Sequence, residues 1–192
     1  MDKTSQEFCM LVPYDMATHV NGTGRLKASQ ELARAKGNAV NFPQGQGCTY
    51  IVEVQTGDRN WAGTSATVDL RLCYNQTACF VYIPDLTDFG LAGPSHKYFQ
   101  RGNLDFFRIL TKKNCHDVCK ITIGHDNAGT SPDWYLDYVK VEAYDGSVPK
   151  FENLFVVYQW IAKGQLHLNV THCPTIKAAA AQLAYVLPSS AI

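Results

Sequence analysis

From Cys48 onward the apolar residues of this chain recur at every second position. Ala66, Val68, Leu70 and Leu72 alternate with Thr67, Asp69 and Arg71, which is the pattern of a strand with one face in a core and the other toward water. Tyr50, Val52 and Val54 alternate with Ile51, Glu53 and Gln55, and Cys119, Ile121 and Ile123 with Lys120 and Thr122. Cys79 to Ile83, Trp134 to Tyr144 and Leu154 to Ile161 are aromatic and β-branched runs of strand length. Turn-forming clusters such as Asp126-Asn127-Ala128-Gly129 and Asp145-Gly146 separate them. Short strands at this spacing, with no long helical period and no internal repeat, fold as an antiparallel sandwich or barrel.

The two ends of the chain do not share this period. Residues 1–47 read as an N-terminal extension. Within it, Arg25 to Lys36 is rich in helix formers and Gly37 stands where a C-cap glycine would. Residues 166–192 read as a C-terminal tail. There Ile176, Ala180, Leu183 and Leu187 lie near helical spacing, Thr175 is placed to cap, and Pro188 to stop the helix. The tail is expected to be a helix packed on the sandwich or on a partner.

Composition narrows the function classes. The chain of 192 residues carries 17 basic and 17 acidic side chains, so no electrostatic footprint points to nucleic acid or to a polybasic membrane surface. No stretch approaches the roughly 18 apolar residues of a membrane-spanning helix. The 7 cysteines are many for a reducing compartment. Three glycosylation sequons begin at Asn21, Asn75 and Asn169. Together they favour the secretory pathway, although the opening MDKTSQEFCM has no apolar signal-peptide core. That leaves either a removed signal peptide or a cytosolic chain.

Four phrases, in order, resemble the PLAT (lipoxygenase homology, LH2) family. The first is Cys48-Thr-Tyr-Ile-Val-Glu-Val-Gln-Thr-Gly57 followed by Trp61-Ala62-Gly63-Thr64; the second is Tyr98-Phe99-Gln100-Arg101-Gly102-Asn103-Leu104-Asp105. The third is Asp133-Trp134-Tyr135-Leu136-Asp137-Tyr138-Val139, and the fourth runs from Phe155 to Trp160-Ile161. The resemblance covers residues 48–165. It implies an all-β antiparallel sandwich of about eight strands that docks on lipids or proteins. The Arg-Gly-Asn-Leu-Asp version of the second phrase, with cysteines nearby, looks most like the small plant PLAT-only proteins, which implies a secretory or endoplasmic-reticulum location and a role in stress or defence.

The same resemblance marks candidate residues. Trp61, at the tip of the first hairpin, is the foremost lipid-binding candidate, because an indole is apolar across its face and keeps its N–H wet. Phe89 and Leu91, before Gly93-Pro94, are second candidates. Trp134 and Trp160 lie inside strand phrases and are expected in the core. Calcium is the cofactor the family implies, and it needs six to eight oxygen ligands. Here Lys97, Tyr98, Gln100 and Ser65 stand where calcium-using lipoxygenases carry acidic or amide groups. Asp58, Asp126, Asn127 and Asp133 remain as candidates for one weak site.

The cysteines are better read as a disulfide framework than as a zinc site. Cys115-His116-Asp117-Val118-Cys119, with His125 beyond, has tolerable spacing but no second ligand pair. Cys73 and Cys79 would meet across a hairpin, Cys115 and Cys119 flank one short turn, and Cys48 with Cys173 would tie the ends of the sandwich. Connectivity stays open, since six cysteines allow about 15 pairings, and Cys9 is left free or intermolecular.

No nucleophile elbow, phosphate loop, zinc-protease helix or dinucleotide fingerprint is present. His19, His96, His116, His125, His167 and His172 form no spaced metal set and read as lone surface histidines. The expected function is a non-catalytic module docking on lipid surfaces or apolar ligands through loop aromatics. The alternatives are a protein-interaction module that uses a sheet face or the tail, and an accessory part of a lipid-modifying enzyme.

Overall fold

The structure, a computed structural model, describes residues 47–112 and 114–173. Residues 1–46, with Cys9, Asn21 and the helix expected over Arg25–Lys36, and the tail from residue 174 lie outside the described residues.

Among the described residues eight strands follow in chain order: β1 (Cys48–Thr56), β2 (Val68–Cys73), β3 (Cys79–Ile83), β4 (Leu104–Thr111), β5 (Lys120–His125), β6 (Trp134–Asp145), β7 (Val148–Ile161) and β8 (His167–Thr171). They pair as two four-stranded sheets, β4-β1-β6-β7 and β3-β2-β5-β8, and every pairing is antiparallel. The fold is the all-β sandwich the alternation calls for.

Inward positions supply the core. Tyr50, Val52 and Val54 of β1 meet Val68, Leu70 and Leu72 of β2, Ile121 and Ile123 of β5, and Leu136, Val139 and Val141 of β6 in one cluster. Each such aliphatic side chain, fully withdrawn from water, contributes about 1.5–3 kcal/mol. Trp134 joins them, fully buried, its Nε1–H donating to Thr56 Oγ1 at 3.0 Å. Asp145-Gly146 does make the β6–β7 hairpin, with Asp145 opposite Val148 and Gly146 at φ 59. A type II′ turn requires that positive φ at its first central residue.

β8 corrects the boundary drawn at residue 165. His167–Thr171 pairs with Lys120–Gly124 of β5, and Leu168 is buried in the core, so the sandwich runs through the first residues assigned to the tail. Trp160 corrects the expectation of core packing. It faces outward from the edge strand β7, 38% exposed, its ring set edge-on to Tyr135 at 5.3 Å.

Among the described residues three disulfides form, Cys73–Cys79, Cys48–Cys115 and Cys119–Cys173. The hairpin pair is the one expected. Cys115 and Cys119, read as partners, instead part to opposite sides of their loop. Cys115 reaches β1 of one sheet, and Cys119, beside Cys73 through its N–H to Cys73 C=O at 3.1 Å, takes Cys173. Cys48 therefore does not pair with Cys173. All three bridges lie at one end of the sandwich, where β1 and β5 begin and β2 and β8 finish. Three disulfides belong to an oxidising, secretory or extracellular environment.

Candidate functional site

The opposite end carries the β1–β2, β3–β4, β5–β6 and β7–β8 loops, and no disulfide. The β1–β2 loop lies between two neighbours. On one side Thr64 N–H donates to Phe99 C=O at 3.0 Å and Gly102 N–H to Gly57 C=O at 3.1 Å. On the other, Ser65 N–H donates to Ser131 C=O at 3.1 Å and Thr64 Oγ1–H to Pro132 C=O at 2.8 Å. Gly63 permits this approach, since a Cβ there would stand 2.8 Å from Arg101 N and 3.0 Å from Phe99 O. The β3–β4 loop is fixed from within by buried Asp105, which accepts from Phe99 N–H at 2.7 Å and lies 2.7 Å from His96 Nε2.

Trp61 stands at the tip of this clamped loop. It is the third residue of a turn closed by Ala62 N–H on Arg59 C=O at 3.1 Å, and its φ is 65. That position favours Gly or Asn, and an L-residue there costs about 1 kcal/mol. The indole is 83% exposed. A large apolar ring is thus displayed in a strained backbone conformation that its neighbours hold in place. Arg59 beside it lies over the Tyr135 ring at 4.2 Å. Burial raises the pKa of the nearby Asp137 carboxyl above its ordinary value, against the pull of Arg59. A groove of about 590 Å³ runs from Trp61 and Asn60 past Gly63 to Gln100 and Arg101.

Phe89 and Leu91 are placed differently from Trp61. Phe89 is half-buried in a 3₁₀ turn at Leu86–Phe89 capped by Asp85, and it packs against the core. Leu91 is half-buried, its N–H on Phe106 C=O at 2.9 Å.

The four oxygen-bearing candidates sit at this same end, each with its own surroundings. Asp58 Oδ1 accepts from Arg101 Nε at 2.7 Å, and the same guanidinium donates to Asn60 at 2.9 Å. Asp126 Oδ1 accepts from Thr67 N–H at 3.0 Å and Ala128 N–H at 2.9 Å, and the Ala128 bond chiefly holds its pKa below 3.8. Asn127, at φ 60, donates its N–H to His125 Nδ1 at 3.1 Å. Asp133 is exposed just before Trp134. Among the described residues no three His, Cys, Asp or Glu side chains gather into a group that could hold a metal ion. Cys115 and Cys119, being disulfide-bonded, cannot serve as zinc thiolates.

One histidine, His125, departs from the surface reading, while the exposed His167 and His172 each have a partner. His125 is fully buried, with Nδ1 accepting from Asn127 and Nε2 against Ile161 C=O at 3.0 Å. His167 Nε2 lies 2.7 Å from Asp69, and His172 stacks on Phe155. The sequon residue Asn75 is exposed on the β2–β3 hairpin tip, its side-chain oxygen accepting from Thr77 and Ala78 N–H. Asn169 is exposed on β8 and accepts from Thr122 Oγ1 at 2.7 Å. Arg101, Asp105 and Thr64, which build the clamp, were not singled out by sequence. The Arg-Gly-Asn-Leu-Asp phrase was the signal that contained two of them.

The PLAT/LH2 domain model matches residues 50–172. PLAT domain-containing protein 1 of Arabidopsis thaliana is 29% identical over 132 residues, covering 66% of this chain and 72% of its own. PLAT domain-containing protein 3 of the same plant is 37% identical over 102 residues, 50% of this chain and 93% of its own. The polycystin family receptor for egg jelly of Mus musculus is 33% identical over 113 residues, 59% of this chain but 5% of the receptor. Among solved structures, coral 8R-lipoxygenase superposes with a TM-score of 0.51 at 22% identity, over 71% of this chain and 20% of the enzyme. The match thus spans most of two small plant proteins and a minor part of a large receptor and an enzyme. With its sandwich, its four phrases and the model match over most of its length, the chain belongs to the PLAT/LH2 domain family.

Proposed function

We propose that this chain is a non-catalytic docking module that meets lipid surfaces with its loop end, Trp61 entering the interface. The observation that carries the reading is the 83% exposed Trp61 held at φ 65 by a loop bonded on both sides. Neighbours that hold a strained backbone for an outward indole gain nothing from its burial within the fold, whereas an acyl–water boundary accepts both the ring and its wet N–H. Burying about 100 Å² of that ring contributes about 2–3 kcal/mol, which gives weak and reversible binding. The pairing of Asp58 with Arg101 and the use of Asp126 within its own turn favour docking that does not depend on calcium. The related Arabidopsis PLAT domain-containing proteins, much of whose length this chain covers, support a plant-like module; a secretory setting, favoured by the three disulfides, and a role in stress or defence complete the reading.

Co-sedimentation with mixed-lipid vesicles, in calcium and in chelator, tests this. Wild-type protein is expected to bind equally in both, and Trp61→Ala to lose about thirtyfold or more in affinity. Binding that appears only with calcium would return Asp58, Asp126, Asn127 and Asp133 to the centre of the account. Unchanged binding by Trp61→Ala would overturn the role of the loop.

A further inference from the structure

The sequon Asn75-Gln76-Thr77 stands on the tip of the β2–β3 hairpin, in a loop closed at its base by Cys73–Cys79. All three of its residues are exposed. Tyr74 N–H on Ala78 C=O at 3.2 Å and Lys120 Nζ on Gln76 C=O at 2.8 Å hold the loop to the fold. Asn75 Oδ1 accepts from Thr77 N–H at 2.8 Å, Thr77 Oγ1–H at 3.2 Å and Ala78 N–H at 2.6 Å. Two backbone donors on one atom fix which end of the amide is oxygen. Nδ2 therefore faces away from those donors, and among the described residues it has no hydrogen-bond partner. The bonds that shape this turn reach only two or three residues along the chain, so a nascent chain can make it before either sheet exists.

The second sequon among the described residues, Asn169-Val170-Thr171, has the same residue types in a different setting. Its Asn is the middle residue of β8, the strand paired to β5, and its Oδ1 accepts from Thr122 Oγ1 across that pairing at 2.7 Å. Two strand positions set Asn169 and Thr171 about 6.6 Å apart along β8, instead of turned onto one another as in the hairpin. Cys173, just beyond, is bonded to Cys119. An enzyme that grips the Asn and the Thr together would have to pull this strand off its sheet. Asn75 and Thr77 are offered together on a free turn.

We propose that Asn75 is an N-glycosylation site and that Asn169 is passed over. The reaction is glycosyl transfer from a lipid-linked oligosaccharyl pyrophosphate, in the same oxidising lumen that the disulfides call for. Asn75 Nδ2 bonds to the anomeric carbon of the first sugar. The bond from that carbon to the pyrophosphate oxygen breaks, its electron pair leaves with the pyrophosphate, and Nδ2 gives up one proton to a base on the transferase. A glycan there is bulky and solubilising. It shades the exposed Tyr74 and keeps the disulfide end in water. The opposite end, with Trp61, stays clear, which gives lipid docking a single orientation. That consequence rests on the docking reading; the glycan itself does not.

The test is a site-resolved glycan map of the full chain, carried into the endoplasmic reticulum of a eukaryotic cell by a cleavable leader. The secreted protein is treated with peptide N-glycosidase in heavy-oxygen water, reduced and digested with trypsin. Each Asn that carried a glycan then reads as labelled aspartate, in the peptide Leu72–Lys97 for Asn75 and in Gly164–Lys177 for Asn169. Most copies are expected to be labelled at Asn75 and few at Asn169. Thr77→Val removes the hydroxyl but keeps Asn75 and the backbone bonds of its turn. It is expected to abolish the label at Asn75, and Thr77→Ser to retain it. An unlabelled Asn75 in the secreted wild type, a label that survives Thr77→Val, or occupancy at Asn169 equal to that at Asn75 would overturn the proposal. No vesicle enters this test, so its outcome is separate from that of the docking experiment.

Discussion

The two ends of the sandwich are built on different principles. One end is covalent: Cys48–Cys115, Cys73–Cys79 and Cys119–Cys173 tie together β1, β2, β3, β8 and the loop before β5. Its aromatic rings turn inward on one another, Tyr50 on Phe80 at 5.6 Å and Phe80 on His116 at 5.1 Å. The other end is held by hydrogen bonds between loops and turns Trp61 outward. A small sandwich needs cross-links where chain ends enter and leave, because fraying starts there. The binding end needs a fixed shape with a free surface, and backbone bonds plus one close-packed glycine provide that without covering the indole.

Substitutions can set the two ends against each other. The largest effect is expected from Cys48→Ser with Cys115→Ser. Opening a bridge with a sequence separation of 67 should lower stability by about 4 kcal/mol in urea melts. The fraction still folded should bind vesicles as wild type does; loss of binding with the fold intact would break the division. Gly63→Ala comes next. Its methyl would press on Arg101 N and Phe99 O, lowering stability by about 1–3 kcal/mol and loosening the clamp. Hydrogen exchange should quicken at Thr64 and Gly102 while the amides around Cys119 stay protected.

Trp61→Gly sharpens the comparison, because stability and binding should move in opposite directions. Glycine accepts φ 65, so the fold should gain about 0.5–1 kcal/mol, while vesicle affinity falls as with alanine. A loss of stability would mean that the indole packs on its own domain. The smallest effect is that of acid. Hydrogen bonds hold the Asp126 pKa below 3.8, so its contribution is full above that value and is lost as pH falls through the lowered one. Amide exchange at Thr67 and Ala128 should rise there, before the disulfide-tied end responds.

The inner faces of β1, β2, β5 and β6 were legible because one side of each strand alternates clearly. β4 was not, since Asp105, Phe106, Phe107, Arg108 and Ile109 are all buried and burial on both faces erases the period of two. β8 is five residues long and follows a short turn, so it blended into the tail. Trp160 misled because an apolar residue in a strand phrase was taken to face inward, while β7 is an edge strand with a shift in its pairing opposite Leu136 and Tyr138. The disulfides beyond the hairpin pair depended on which sheet each half of the Cys115–Cys119 loop faces, which spacing does not encode. At the site, Trp61 was found from its phrase and its place at a hairpin tip. Arg101 and Asp105 act across loops distant in sequence, and only the fold brings them there.

The most direct measurement is fluorescence quenching of Trp61 by vesicles carrying brominated lipids, in protein where Trp160 is replaced by phenylalanine and Trp134 remains buried. The account predicts that bromines near the headgroup quench strongly and those deep in the acyl chain weakly, with a blue-shifted emission. Emission that stays unshifted and unquenched at every bromine depth would contradict it.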